Sequence, residues 1–262
     1  MTNELMNRLQ TLFASGKKDL LSIYYTAGYP SLGSTLDIAE ALEKAGADFL
    51  EIGFPYSDPV ADGPTIQHSS QTALDNGMDL HVLFGQLADL RKRVSIPIIL
   101  MGYVNPVIQY GVADFCKKAA EVGVDGLIIP DLPMYEYETL YKKDLADNNL
   151  SNIILVTPQT SDERIRKIDE LSDCFIYLLS SASITGNSLK MSDGLDTYFK
   201  RIEDMRLKNP TIVGFGIADR TSYQKACQYN RGAIVGSAFV KFLGENEDYL
   251  NKIGEFVKSF KK

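Results

Sequence analysis

Eight short apolar runs, each followed by a stretch with helical patterning, constrain this chain more than any other feature of its sequence. The runs are 20–26 (LLSIYYT), 48–53 (DFLEIG), 97–101 (PIILM), 125–129 (DGLII), 152–156 (NIILV), 174–179 (CFIYLL), 211–214 (TIVG) and 233–236 (AIVG). They are almost uniformly apolar rather than alternating, which marks parallel strands covered on both faces. Segments 34–45, 113–122, 135–147, 161–171, 193–207 and 219–229 carry the helical period between them. Ser34, Ser161 and Asp219 stand where helix N-caps belong. A further helix is expected over 2–14, placed to plug the bottom of a barrel, and another over 246–260. Eight strand–helix units in 262 residues is the count for an α/β fold of the (β/α)8 TIM-barrel type. The competing architecture, a doubly wound sheet, usually has fewer strands. No linker, low-complexity stretch or composition break interrupts the chain, so 1–262 reads as a single domain.

The spacing of strand ends is uneven. From Glu51 to Met101 is 50 residues and from Ser180 to Gly214 is 34, well above the other intervals. Long loops are therefore expected after strands 2 and 6. In a barrel these loops ring the active site, and long ones often act as lids.

Composition narrows the function classes. With 27 Lys+Arg against 34 Asp+Glu the chain carries a net charge of −7, which counts against nucleic acid as a partner. No stretch approaches the length of apolar sequence that spans a membrane, and the N-terminus lacks the pattern of a signal peptide. Cys116, Cys174 and Cys227 are far apart and without CxxC spacing, which fits reduced thiols in a cytoplasmic protein. The two histidines, His68 and His81, exclude a three-His metal site and read as structural and surface residues. No lysine ends a candidate strand, so an imine-forming aldolase is not indicated. GxSxG, HExxH and P-loop motifs are missing, and GFGIAD (214–219) fails the dinucleotide fingerprint at its sixth position. A magnesium site from Asp58, Asp62 and Asp131 is conceivable, but no spacing requires it.

Polar residues at strand ends locate the chemistry. Glu51 lies between Leu50 and Ile52, where burial in a sealed core would be costly. Facing a substrate cavity instead, a desolvated carboxyl gains a raised pKa and can serve as acid or base. On the helix-facing side it would be an ion-paired structural group. Asp62 lies in PYSDPVADGPTIQ, a loop stiffened by Pro55, Pro59, Gly63 and Pro64. An Asp in such a turn is more often a turn former than a catalyst, but the length of this loop favours a role at the site. Gly214-Phe215-Gly216 and Gly236-Ser237 end the last two strands ahead of helical segments, where barrels often hold a phosphate. Thr185 and Gly186, after strand 6, are placed to cover a phosphate ester.

At these residues the sequence resembles the tryptophan synthase alpha subunit family over essentially its whole length. The matching segments are YYTAGYP (24–30), GADFLEIGFPYSDPVADGPTIQ (46–67), LMGYVNP (100–106), GVDGLIIPDLP (123–133), YLLSSASITG (177–186), GFGI (214–217) and GAIVGSAFVK (232–241). The resemblance implies a lyase of tryptophan biosynthesis that cleaves indole-3-glycerol phosphate to indole and glyceraldehyde 3-phosphate, a retro-aldol reaction without metal or imine. It implies catalytic roles for Glu51 and Asp62. It places Gly186, Gly216, Gly236 and Ser237 at the phosphate, and Tyr24, Leu100, Tyr103, Leu127, Ile154 and Phe215 around the indole. Tyr177 is expected beside Glu51, and Thr185 is expected to close over Asp62. For Leu127 and Ile154, ordinary barrel packing is an equal alternative. The family implies a beta-subunit partner in an αββα heterotetramer, with pyridoxal phosphate in that partner and none in this chain. Pro55, Asp58, Asn105, Asp131 and Pro133 match its interface positions, and would otherwise be turn residues open to water.

Two departures from the family stand out. Ser183 replaces a Gly common in the loop after strand 6, and Tyr24 replaces a Phe, adding a hydroxyl to the pocket wall. The other readings are a stand-alone indole-3-glycerol phosphate lyase, a non-catalytic barrel that docks a beta subunit, and a different phosphate-ester barrel enzyme such as an isomerase.

Overall fold

The computed structural model describes residues 6–180 and 193–261. Its strands are β1 (Leu20–Thr26), β2 (Phe49–Gly53), β3 (Ile98–Met101), β4 (Gly126–Ile128), β5 (Ser151–Asn152), β6 (Leu155–Val156), β7 (Ile176–Leu179), β8 (Thr211–Gly214) and β9 (Gly232–Val235). They form one parallel sheet in the order β5-β4-β3-β2-β1-β9-β8-β7-β6. Nine strands appear where eight were expected because the run 152–156 is split. Its first half pairs with β4 and its second half with β7. Ile153 N donates to Leu127 O at 2.9 Å, and Tyr177 N donates to Ile154 O at 3.1 Å. The two sheet edges are therefore consecutive in the chain, and this one split strand closes the barrel.

The helices run α1 (Arg8–Ala14), α2 (Thr35–Ala45), α3 (Pro64–Asp75), α4 (Leu80–Leu87), α5 (Leu90–Arg93), α6 (Val104–Tyr110), α7 (Val112–Glu121), α8 (Met134–Glu136), α9 (Lys142–Asp147), α10 (Asp162–Leu171), α11 (Asp193–Asp204), α12 (Arg220–Tyr229), α13 (Ser237–Glu245) and α14 (Tyr249–Lys261). Between α8 and α9 the backbone widens into a π turn over Tyr137–Tyr141. The long interval after β2 is filled by α3, α4 and α5. Of the second long interval, residues 181–192 lie outside the described residues.

Strand parity sorts the apolar side chains into two cores. Leu50, Ile52, Leu100 and Leu127 pack outward against helix residues such as Leu83, Phe84 and Phe115. Phe49, Ile99, Met101, Ile128, Phe175 and Ile234 fill the barrel interior. The plug expected at the bottom is present: Leu9 and Phe13 of α1 join this inner core, with the Phe13 ring stacked on Phe175 at 4.7 Å. The helix starts later than the pattern suggested, since Met6 and Asn7 are not helical. Asn7 caps it reciprocally with Gln10, an N-terminal stop signal of its own.

The caps divide. Ser161 and Asp219 accept from Arg164 N and Ser222 N as expected. Ser34 caps nothing; its hydroxyl donates to Tyr29 O and Ser31 O instead. The C-terminal expectation of one helix over 246–260 resolves into α14, preceded by α13, which matters for the site.

Candidate active site

Glu51 shares strand parity with Phe49, so it points into the barrel while Leu50 and Ile52 face the helices. It sits in register with Tyr24 on β1 and Ile99 on β3. The residue is fully buried, and neither carboxyl oxygen has a hydrogen-bond partner among the described residues. Burial without compensation pushes its pKa up to about 8. At neutral pH this carboxyl holds its proton.

Asp62 reaches the same cavity from the loop between β2 and α3. The loop is braced locally: Asp62 N donates to Pro59 O at 3.0 Å, and Gln67 Nε2 donates to Asp62 O at 2.9 Å. The Tyr103 hydroxyl donates to Asp62 Oδ2 at 3.1 Å and accepts from Ala61 N at 2.9 Å. Burial pushes Asp62 up to about 6, with the Tyr103 hydrogen bond opposing the shift. Two carboxyls thus share one cavity in different protonation states at pH 7, an arrangement that divides acid and charge-stabilising roles.

The cavity, about 130 Å³, opens at the C-terminal mouth of the barrel. Tyr24, Tyr177, Met101, Ile66, Ile217 and Ile234 form its walls. Two glycines make room for the tyrosines. A Cβ on Gly53 would lie 2.2 Å from the Tyr24 hydroxyl, and one on Gly214 would lie 1.9 Å from that of Tyr177. Opposite the carboxyls, Phe215, Gly216, Ala218, Gly236, Ser237 and Ala238 close the cavity. Phe215 and Gly216 both take positive φ, 65° and 73°, which folds the β8 end back over this rim. Gly236 is the N-cap of α13, so the first-turn amides of Ser237 and Ala238 have no partner within the helix. Such a helix start favours an anion. Among the described lining residues none is cationic.

Eight expected site residues meet here: Tyr24, Glu51, Asp62, Tyr177, Phe215, Gly216, Gly236 and Ser237. Tyr103 stands directly behind, on Asp62. Three expected pocket residues do not reach it. Leu100, Leu127 and Ile154 pack against the helix-facing core, one residue out of phase with Met101, Ile128 and Leu155 on the inner side. A one-residue slip along a strand exchanges its faces. Thr185, Gly186 and Ser183 lie outside the described residues. Ile66, Met101, Ile217, Ala218, Ile234 and Ala238 line the cavity without having been singled out. Met101 faces inward because it lies two residues beyond Ile99, the register partner of Glu51, a pairing that the sequence alone does not show.

Of the rim positions, Asp58, Asp131 and Pro133 are exposed on the loops after β2 and β4 and Asn105 is exposed in the first turn of α6, whereas Pro55 is buried within the chain. Asp131 Oδ1 accepts from Val104 N at 2.9 Å, joining the loops after β3 and β4. No group of three or more His, Cys, Asp or Glu among the described residues is arranged to hold a metal ion. No described helix is long and apolar enough to cross a membrane.

A closed parallel barrel with a pair of differently tuned carboxyls at its C-terminal mouth defines a (β/α)8-barrel enzyme of acid–base type. The comparisons with known proteins carry this further. The profile of the family described as "Tryptophan synthase alpha chain" matches residues 9–262. The tryptophan synthase alpha chain of Flavobacterium psychrophilum is 54% identical over 252 residues, covering 96% of this chain and 98% of that one. The alpha chain of Phocaeicola vulgatus is 48% identical over 258 residues, with coverages of 97% and 100%. Among solved structures, tryptophan synthase subunit alpha from Legionella pneumophila superposes with a TM-score of 0.88 at 33% identity, covering 98% and 97%. A chain of the Pyrococcus furiosus tryptophan synthase complex gives a TM-score of 0.84 at 33% identity, covering 93% and 98%. The chain belongs to the tryptophan synthase alpha chain family, lyase-type enzymes of tryptophan biosynthesis.

Proposed function

We propose that this chain cleaves indole-3-glycerol phosphate to indole and glyceraldehyde 3-phosphate, with Glu51 as proton donor and acceptor and Asp62 as stabiliser of ring charge. The observation that carries the reading is the buried, unpartnered Glu51 facing the same cavity as the hydrogen-bonded Asp62. Protonated Glu51 delivers its proton to indole C3, leaving positive charge centred on the ring nitrogen. Ionised Asp62 accepts the indole N–H and offsets that charge. Glu51, now a carboxylate, takes the proton of the hydroxyl on the adjoining glycerol carbon. The C–C bond breaks, its electrons return to the ring, and the aldehyde leaves with Glu51 protonated again. Each proton transfer is worth roughly 10²–10⁴ in rate.

The phosphate would lie at Gly216, Gly236 and Ser237, held by backbone amides and the α13 N-terminus. With no described cation there, a neutral Glu51 also spares the substrate dianion a nearby negative charge. The resemblance adds Thr185 and Gly186 to this end of the site. The exposed rim positions Asp58, Asn105, Asp131 and Pro133 are proposed to meet a beta subunit in an αββα heterotetramer, together with the exposed Val60, Ile108 and Tyr135 on the same loops and helices. Pro55, being buried, would support that surface rather than form it. Pyridoxal phosphate would belong to the beta subunit, and the assembly to the cytoplasm.

The pH profile tests this assignment. The reactive form has Asp62 ionised and Glu51 protonated, so kcat/KM is expected to be bell-shaped, falling below about 6 and above about 8. A rate that keeps rising through the alkaline limb would mean that Glu51 starts the cycle as a base.

A further inference from the structure

The Tyr24 hydroxyl is a polar group of the cavity wall to which the mechanism above gives no task. Its hydrogen bonds can be counted. Ser69 Oγ donates to Ile66 O at 2.9 Å, and Thr26 Oγ1 lies 2.7 Å from Ser69 Oγ. With the Ser69 proton spent on a carbonyl, Thr26 donates to Ser69 and offers Tyr24 only a lone pair. Thr26 and Ser69 are both fully buried, so their hydroxyls pair within the protein and not with solvent. The Tyr24 hydroxyl stands 3.4 Å from Thr26 Oγ1, beyond the usual range for an O–H···O bond. No described group donates to its oxygen. The hydroxyl occupies the space over Gly53, two residues past Glu51, at the level of the cavity mouth.

Resting on the functional reading above, we propose that Tyr24 is a specificity-determining residue whose hydroxyl hydrogen-bonds a polar substituent on the aromatic ring of the bound ligand. A hydroxylated indole ring can donate to the Tyr24 oxygen, which has nothing else to accept from, and can receive the proton now directed at Thr26 over a long distance. An unsubstituted ring leaves that hydroxyl poorly paired in a desolvated wall, and an unmade hydrogen bond at a buried group is where discrimination arises.

The test compares Kd values of indole, each benzo-ring isomer of hydroxyindole, and the matching methylindoles, for the full-length protein and Tyr24→Phe. For at least one ring position the preference for hydroxyl over both hydrogen and methyl is expected to be roughly three- to tenfold greater in the wild type, the worth of one net hydrogen bond. Equal preferences in the two proteins at every ring position would overturn this inference alone. Absence of indole binding in both folded proteins would overturn the reading of the cavity and this inference with it.

Discussion

Glu51→Gln is expected to lower kcat for indole release by roughly 10⁴, the upper end for a positioned proton-transfer group, because one residue serves both as acid and as base. The amide keeps the shape of the side chain, so KM should change little. A drop in kcat and kcat/KM together, with KM held, is the signature of an interaction made in the transition state. The same substitution should stabilise the fold above neutral pH. In the folded chain Glu51 titrates near 8 instead of its ordinary 4.5, so the folded state holds a proton that the unfolded state has released. The wild type therefore loses stability as pH rises from about 4.5 to about 8, and the Gln variant does not. By denaturant unfolding the variant should exceed the wild type at pH 8 by on the order of a few kcal/mol, with the gap closing toward pH 4.5. A variant with wild-type kcat would remove Glu51 from the chemistry.

Asp62→Asn is expected to cost about 10²–10³ in kcat, the usual consequence of removing one preorganised electrostatic partner of a developing charge. The neutral amide can still accept the indole N–H, but it cannot offset a positive ring. It should also erase the acid limb of the pH profile. The substrate phosphate itself ionises near pH 6, so the wild-type limb alone is ambiguous. An acid limb left unchanged in the Asn variant would assign it to the phosphate, and an effect confined to KM would reduce Asp62 to a substrate-positioning residue. Tyr103, whose hydroxyl donates to Asp62 Oδ2 at 3.1 Å, holds the carboxylate in its ionised form.

Much of this was legible in the sequence because the physics is local. Uniformly apolar runs separated by helical periods define parallel strands, and a glutamate inside one of them needs a cavity or a partner. The two carboxyls and the glycine-rich ends of β8 and β9 were placed on that basis, and the structure brings them to one cavity. The same uniform apolarity hid the phase of the strands. Where both faces of a strand are buried, Leu100 and Met101 look alike in sequence, and only pairing with the Glu51 strand shows that Met101 faces inward. Leu127 and Ile154 follow the alternative of ordinary barrel packing, on the helix-facing side. Pro55 read as an interface position, or otherwise a turn residue open to water, but it is buried within the chain. The split of the fifth strand was hidden too, since a run that pairs on opposite sides at its two ends reads as one strand.

We propose carboxylate-driven cleavage by a chain that works with a beta subunit. It is tested most directly by indole release from indole-3-glycerol phosphate by the purified protein, with and without a tryptophan synthase beta subunit. Slow release that rises sharply when the beta subunit is added is the expected result. No release by the folded protein in either condition would contradict it, and fast release indifferent to the beta subunit would leave the lyase but remove the partnership.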